Sequence, residues 1–176
     1  MEGDWDKISN ILNPARMRAK IEQAGKKVGF AGVAAVKKGI VSGAPGGETF
    51  EPLQALTVWA KGSSKPLIDH GDLVGSITHE NIDANTVWIG VKKGAKGSKG
   101  NMANIAAVHE FGCTIAVTDK MRRAFAAKFQ GIGIRRDTQY IHIPARPFLR
   151  PTLNDPDFRQ TIGEIYLNAL KEAFLP

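Results

Sequence analysis

The sequence predicts a single α+β domain over residues 1–176: a small, mostly antiparallel sheet packed with a long N-terminal helix and a C-terminal helix. Three observations predict it. Amphipathic helical spacing follows Asn13-Pro14, the same spacing follows Asp155-Pro156, and short β-branched runs lie between them, separated by glycine-rich breakers. A chain of 176 residues can bury roughly two thirds of the surface its unfolded form exposes, so it needs no covalent staple. Its single cysteine, Cys113, has no internal partner and reads as a free buried thiol in a reduced compartment. No apolar run approaches the about 18 residues of a membrane span, and the acidic start Met1-Glu2-Gly3-Asp4 is unlike a signal peptide. A soluble, unexported protein is expected.

Asn13 caps the first helix and Pro14 takes its first position, after which Met17, Ile21, Ala24 and Val28 recur at helical spacing. The helix extends to about Ile40, although Gly25, Gly29, Gly32 and Gly39 weaken its continuity. Small residues at 29, 31, 32, 34 and 35 allow another helix to approach closely. The cluster 42–47 is a breaker, and Pro52 to Lys61 reads as a short helix with Leu53, Leu56, Val58 and Trp59 to bury. Asp69 to Ser76 holds one or two helical turns, and Ser76 to Ile82 leads into an extended run. Residues 86–91 are β-branched and aromatic and form the clearest strand.

Residues 94–100, with three glycines and two lysines, read as a mobile loop. A helix from about Met102 to Phe111 closes on Gly112, and Cys113 to Val117 alternates as a strand. Thr118 caps a basic helix from about Asp119 to Lys128, which Gly131 and Gly133 end. Tyr140, Ile141 and Ile143 form the last strand, which Pro144 ends or places at an edge. Asp155 and Pro156 then start the final helix, with Phe158, Ile162, Ile165, Tyr166, Ala169, Leu170 and Phe174 on one face.

The net charge of +7 is unevenly placed. Residues 92–150 hold twelve Lys and Arg against Glu110, Asp119 and Asp137, a net of +9, while the remainder is neutral to slightly acidic. Such a region attracts polyanions or acidic protein surfaces, or is simply a solvated loop region.

Constellations that would carry catalysis are weak. His109-Glu110 lacks a second histidine four positions after the first, where Cys113 stands instead. Asp69, His70 and Asp72 supply the groups of acid–base chemistry but sit at a turn beside Gly71, where aspartate also serves as a cap. No serine stands in a G-x-S-x-G context, and Gly-Lys-Ser/Thr never occurs, so residues 90–100 fail as a phosphate loop. No enzyme activity, metal or cofactor is expected. Nucleic-acid binding is the stronger alternative, with Arg122-Arg123 on a helix and lysines in a loop to neutralise phosphates. With no zinc-finger spacing and only thirteen aromatics, that contact would be non-specific.

Three stretches carry a resemblance. They are Phe50-Glu51-Pro52-Leu53 leading to residues 65–77 (KPLIDHGDLVGSI), Ala106-Ala107-Val108-His109-Glu110-Phe111-Gly112, and residues 143–151 (IPARPFLRP). In this order they resemble the bacteriophage virion morphogenesis family, the tail-completion and head–tail joining proteins of Mu-like phages, which often carry a basic helix between the second and third motifs. His70 stands where that family commonly has threonine or another small polar residue, and the loop at 94–100 is unusually lysine-rich.

The resemblance implies a structural protein of the virion head–tail junction, assembled in the host cytoplasm into a homo-oligomeric ring, expected to be a hexamer. Its partners would be further copies of itself and the tail tube, tail terminator or head-closure and connector proteins, with non-specific contact to packaged DNA and none to membrane. Candidate partner or lumen contacts are Lys92, Lys93, Lys96, Lys99, Arg122, Arg123, Arg146 and Arg150. Pro144 and Pro147 hold the third motif extended, so Arg146 projects from a rigid segment while Phe148 and Leu149 turn inward. The alternative is that Arg146 pairs with a local carboxylate such as Glu110. His109 and Phe111 read as core and helix-end packing. The competing reading of the whole chain is a non-specific nucleic-acid-binding accessory protein.

Overall fold

Helix α1 (Pro14–Ser42) is the spine of the molecule, about 43 Å of unbroken helix. The Asn13 carboxamide oxygen accepts from the N–H groups of Ala15 and Arg16, and Gly43 in a left-handed conformation ends the helix. The computed structural model describes residues 13–98, 100–129 and 133–174. The acidic start of the chain, Lys99 and Gly131 lie outside the described residues.

The glycines do not interrupt α1, because each is a notch in which another element seats. The hairpin β1 (Ile77–Asn81) and β2 (Val87–Val91) lies along one flank, with Ile77 opposite Val91 and Asn81 opposite Val87. Its Asn81 and Val87 side chains abut Gly25, His79 abuts Gly29 and Ile89 abuts Gly32. The small residues therefore admit a β-hairpin as well as the expected helix. That helix is α7 (Pro156–Phe174), which runs antiparallel to α1 with Tyr166 near Gly25, Phe158 near Gly32 and Lys20 paired to Glu172 at 2.9 Å. On α7, Phe158, Ala169 and Ala173 are buried, whereas Phe174, expected on the buried face, is exposed at the fraying end.

The core forms at the C-terminal end of α1. Val36 and Ile40 meet Leu73, Ile77, Ala106 and Phe148, and Phe148 has no exposed surface. Leu73 comes from α3 (Asp72–Ser76) and Ala106 from α4 (Met102–Phe111). Phe148 precedes α6 (Arg150–Asn154) by two residues. Helix α2 (Ala55–Lys61) starts three residues later than Pro52, since the carbonyls of Glu51 and Pro52 are turned to an arginine elsewhere in the chain. Expected to bury four apolar side chains, the segment buries none fully, and Trp59 is 61% exposed.

Among the described residues the antiparallel strands form three separate two-stranded ladders. Across the stretch 94–100, expected to be a mobile loop, the small ladder β3 (Lys96–Gly97) and β4 (Gly100–Asn101) forms. Asp72 is the anchor: its Oδ2 accepts from the Ser98 N–H at 2.7 Å and the Ser98 hydroxyl at 2.5 Å. These two donors hold the Asp72 carboxyl below its ordinary pKa.

Residues 113–129 and 133–143 form an arm. Strand β5 (Cys113–Ala116) pairs with β6 (Tyr140–Ile143), and between them lies α5 (Asp119–Lys128), capped by the Thr118 hydroxyl on the Met121 N–H. Helix α5 buries no residue, and Ile115 and Tyr140 stay open to solvent. Cys113 is half-buried, not enclosed, since its ladder has no covering layer. Phe129 joins the arm to α2, stacking at 5.9 Å on Trp59 and 4.3 Å on Phe125.

Glycine positions separate two effects. At Gly46 (φ +59°) a methyl group would meet the Pro151 carbonyl, whereas Gly163 within α7 has open space around it. Gly46→Ala should lower stability by about 2–3 kcal/mol or more, combining a left-handed backbone with overlap. Gly163→Ala should raise it by up to about 1 kcal/mol through helix propensity. Urea denaturation of both variants checks the opposite signs.

Candidate functional site

The three sequence motifs meet at one point, organised by the buried carboxylate of Glu110. Helix α4 begins under the Asn101 cap and ends at Gly112, whose φ of +74° lets the chain reverse directly after Phe111. Glu110 thereby faces the start of α6. Its Oε2 accepts from the N–H groups of Phe148 at 2.8 Å and Leu149 at 3.0 Å, and its Oε1 from Arg150 at 3.0 Å. A helix start leaves its first N–H groups without partners, and here a side chain from a distant helix takes the capping role.

Arg146 lies in the same layer, buried, and does not project as the proline-bracketed sequence suggested. Its Nε donates to the Glu51 carbonyl at 3.0 Å and its NH2 to the Pro52 carbonyl at 3.1 Å, while its own N–H donates to the His109 carbonyl at 2.6 Å. The pairing with Glu110 does not form either, because both groups are engaged by backbone. Burying a guanidinium is tolerable only with such fixed acceptors.

His109 Nδ1 is buried with no hydrogen-bond partner among the described residues. Burial, with the positive charges of Arg146 and Lys61 nearby, pushes its imidazole below the ordinary 6.5. Phe111 is not packed at the helix end. It is 68% exposed, with the Arg150 guanidinium 5.4 Å from its ring centre.

Beside this network, α2, α3 and α4 enclose an apolar cleft of about 250 Å3 lined by Leu53, Leu67, Leu73, Met102 and Ile105, with His109 at one side. Leu67 holds a left-handed backbone (φ +59°), a costly conformation for a branched side chain, kept because it packs against the core. The cleft continues over Thr57, Lys61, Asp69 and His70 into a groove between α2 and α5, where Phe125, Lys128 and Phe129 form the far wall. Of the acid–base trio, Asp69 pairs with His70 at 3.3 Å while Asp72 is taken by Ser98. Among the described residues no group of three or more His, Cys, Asp or Glu is arranged to hold a metal ion.

The basic candidates divide into two kinds. Arg146 is buried, and Arg122 reaches back to the carbonyls of Ile134, Arg135 and Thr138, locking the return from α5. Lys92 pairs with Glu80 at 3.0 Å on the hairpin surface. Lys93, Lys96, Arg123 and Arg150 are exposed, and Lys99 is outside the described residues. They line no common site: Lys93 precedes β3 and Lys96 begins it, Arg123 lies on α5 and Arg150 on α6. Glu110 and Asp72 matter more to this region than any of these cations, and their partners lie too far along the chain to be read from spacing. The signal available was a glutamate just before a helix-ending glycine, together with a proline-bracketed segment whose N–H groups needed acceptors.

Fold and site together define a small scaffold held by polar contacts between backbone and buried side chains, its exposed groups spread over several faces. The chain belongs to the phage virion morphogenesis family, whose model matches residues 5–171. No curated protein and no solved structure matches it. Family membership makes this a phage protein with a structural or assembly role. Among the described residues no helix is long and apolar enough to cross a membrane.

Glu110→Ala leaves three N–H groups, that of Phe148 fully buried, without their acceptor and should cost about 3–5 kcal/mol, read as a fall in the urea midpoint. A pH dependence belongs to His109. Its folded-state pKa lies below the unfolded value of about 6.5, so its contribution is complete above that value and declines as pH falls below it. Stability should therefore decrease between about pH 7 and pH 5, and His109→Gln should flatten the slope, as measured by urea titration at each pH.

Proposed function

We propose that this protein is a structural component of the head–tail junction, required for tail completion or head–tail joining, and that it acts as a ring of identical copies with no catalytic step. The observation that carries the reading is the family match across nearly the whole chain, with all three motifs placed in one rigid network. Exposed apolar side chains on different elements, including Phe30 on α1, Trp59 on α2, Ile82 after β1 and Tyr140 on β6, offer more than one contact face. A ring needs that, since its subunits pair head to tail through two unlike surfaces.

The tail tube, a tail terminator and a head-closure or connector protein are the partners proposed for the two ring faces. The exposed Lys93, Lys96 and Arg123, with Lys92 and Lys99, are proposed to face the lumen or an acidic neighbour and to make whatever contact occurs with packaged DNA. A purely nucleic-acid-binding role is less well supported, because Arg122 and Arg146 are committed to carbonyls and Lys92 to Glu80.

Electron microscopy of lysates from phage lacking this protein tests the reading. Separate heads and tails, or tails left incomplete, are expected, whereas normal particles with altered replication would favour the accessory role. Replacing Lys92, Lys93, Lys96 and Lys99 together by serine should reduce assembly or DNA retention. Unchanged particles would remove the lumen assignment.

A further inference from the structure

An apolar cleft that the network around Glu110 does not use lies between α2, α3, α4 and α5, beside the core. Its floor is Leu67, Leu73, Met102 and Ile105, Lys61 and Lys128 flank its opening, and the exposed Trp59 lies against Phe129 of its far wall. The two carboxylates on its margin are already engaged, Asp69 with His70 and Asp72 with Ser98. Helix α5, which forms one wall, carries four basic residues against Asp119. The surface therefore suits a short segment that is apolar and acidic at once.

The chain itself supplies such a segment. Residues 1–12, outside the described structure, contain Trp5, Ile8, Ile11 and Leu12, together with Glu2, Asp4 and Asp6 against Lys7. We infer that this segment of one copy docks in the cleft of the next, Trp5 entering the apolar floor and the acidic side chains facing Lys61 and Lys128. The deduction rests on the self-assembly proposed above and adds the contact that would drive it.

Reach excludes the same copy. The cleft shares Leu73 with the core around Val36 and Ile40, while residue 13 sits at the far end of α1, about 35 Å away along the helix axis. Trp5 is eight residues from Asn13 and can be at most about 29 Å from it even when fully extended. A neighbour's cleft is the available one. Because donor segment and acceptor cleft are at opposite ends of the spine, each copy gives at one end and receives at the other, the heterologous pairing that closes into rings. The acidic segment and the basic wall also orient the encounter and make it sensitive to salt.

Two full-length variants test this, each also carrying Cys113→Ser: one with Gly3→Cys, the other with Thr57→Cys on the exposed side of α2 at the cleft. When they are mixed and treated with a short bismaleimide reagent, a covalent product containing one of each is expected, with the link between the two introduced thiols by mass spectrometry. Trp5→Ala should weaken self-association roughly 30-fold in sedimentation equilibrium, as for an interface anchor, with an unchanged circular dichroism spectrum. Lys128→Glu should weaken it in the same direction. If the wild-type chain associates but Trp5→Ala leaves association intact and the mixed variants stay unlinked, the docking is overturned and the ring reading survives. A chain that is monomeric at every concentration and gives no link overturns both.

Discussion

A carboxylate buried at the end of α4 determines where the last third of the chain can go. Removing a charge from water is costly, and it is tolerated at Glu110 because three consecutive N–H groups converge on its two oxygens. Those donors begin α6, so the carboxylate sets the position of α6, the burial of Phe148, and the point from which α7 departs to lie against α1. Arg146 completes the arrangement from the other side by holding the Glu51 and Pro52 carbonyls. One anion and one cation, each satisfied by backbone and not by the other, tie segments 40 and 95 residues apart into a single layer.

The rest of the molecule is attached to this layer with unequal firmness. α1, α7 and the β1–β2 hairpin interlock through side chains set into glycine notches, a packing with little freedom to shift. The arm from Cys113 to Ile143 hangs on a two-stranded ladder and the Trp59, Phe125 and Phe129 rings. Two paired strands without a covering layer are marginal alone, and an open edge invites another chain. A stiff body with a more adaptable arm is a workable division of labour for the structural role proposed above.

Local signals were the legible ones. Asn13, Thr118 and Asp155 were readable as caps and Gly112 as a terminator because a cap acts within three residues of itself, and the structure places helix ends there. The α+β class followed from those ends and from the β-branched run at 86–91. Partners distant in sequence were not legible. Nothing near Arg146 points to carbonyls some ninety residues earlier, so a guanidinium between two prolines looked exposed. Asp72 and Ser98 are 26 residues apart, so the lysine-rich loop looked unanchored. The glycines of α1 looked like weaknesses because what fills a missing side chain's place is known only once its neighbour is placed.

The notches on α1 make the spine a ruler. Gly25, Gly29 and Gly32 fall on one stripe only because the intervals between them match the helical repeat, and the hairpin on that stripe is itself in fixed register. Adding or removing one residue anywhere between positions 25 and 32 would rotate everything beyond it by about 100°, aiming one notch at solvent and a full side chain at His79 or Ile89. Length is therefore an invariant of this helix in a way that composition is not. Substitutions along its outer surface alter only what the surroundings meet, while a single insertion unseats the hairpin and α7 together.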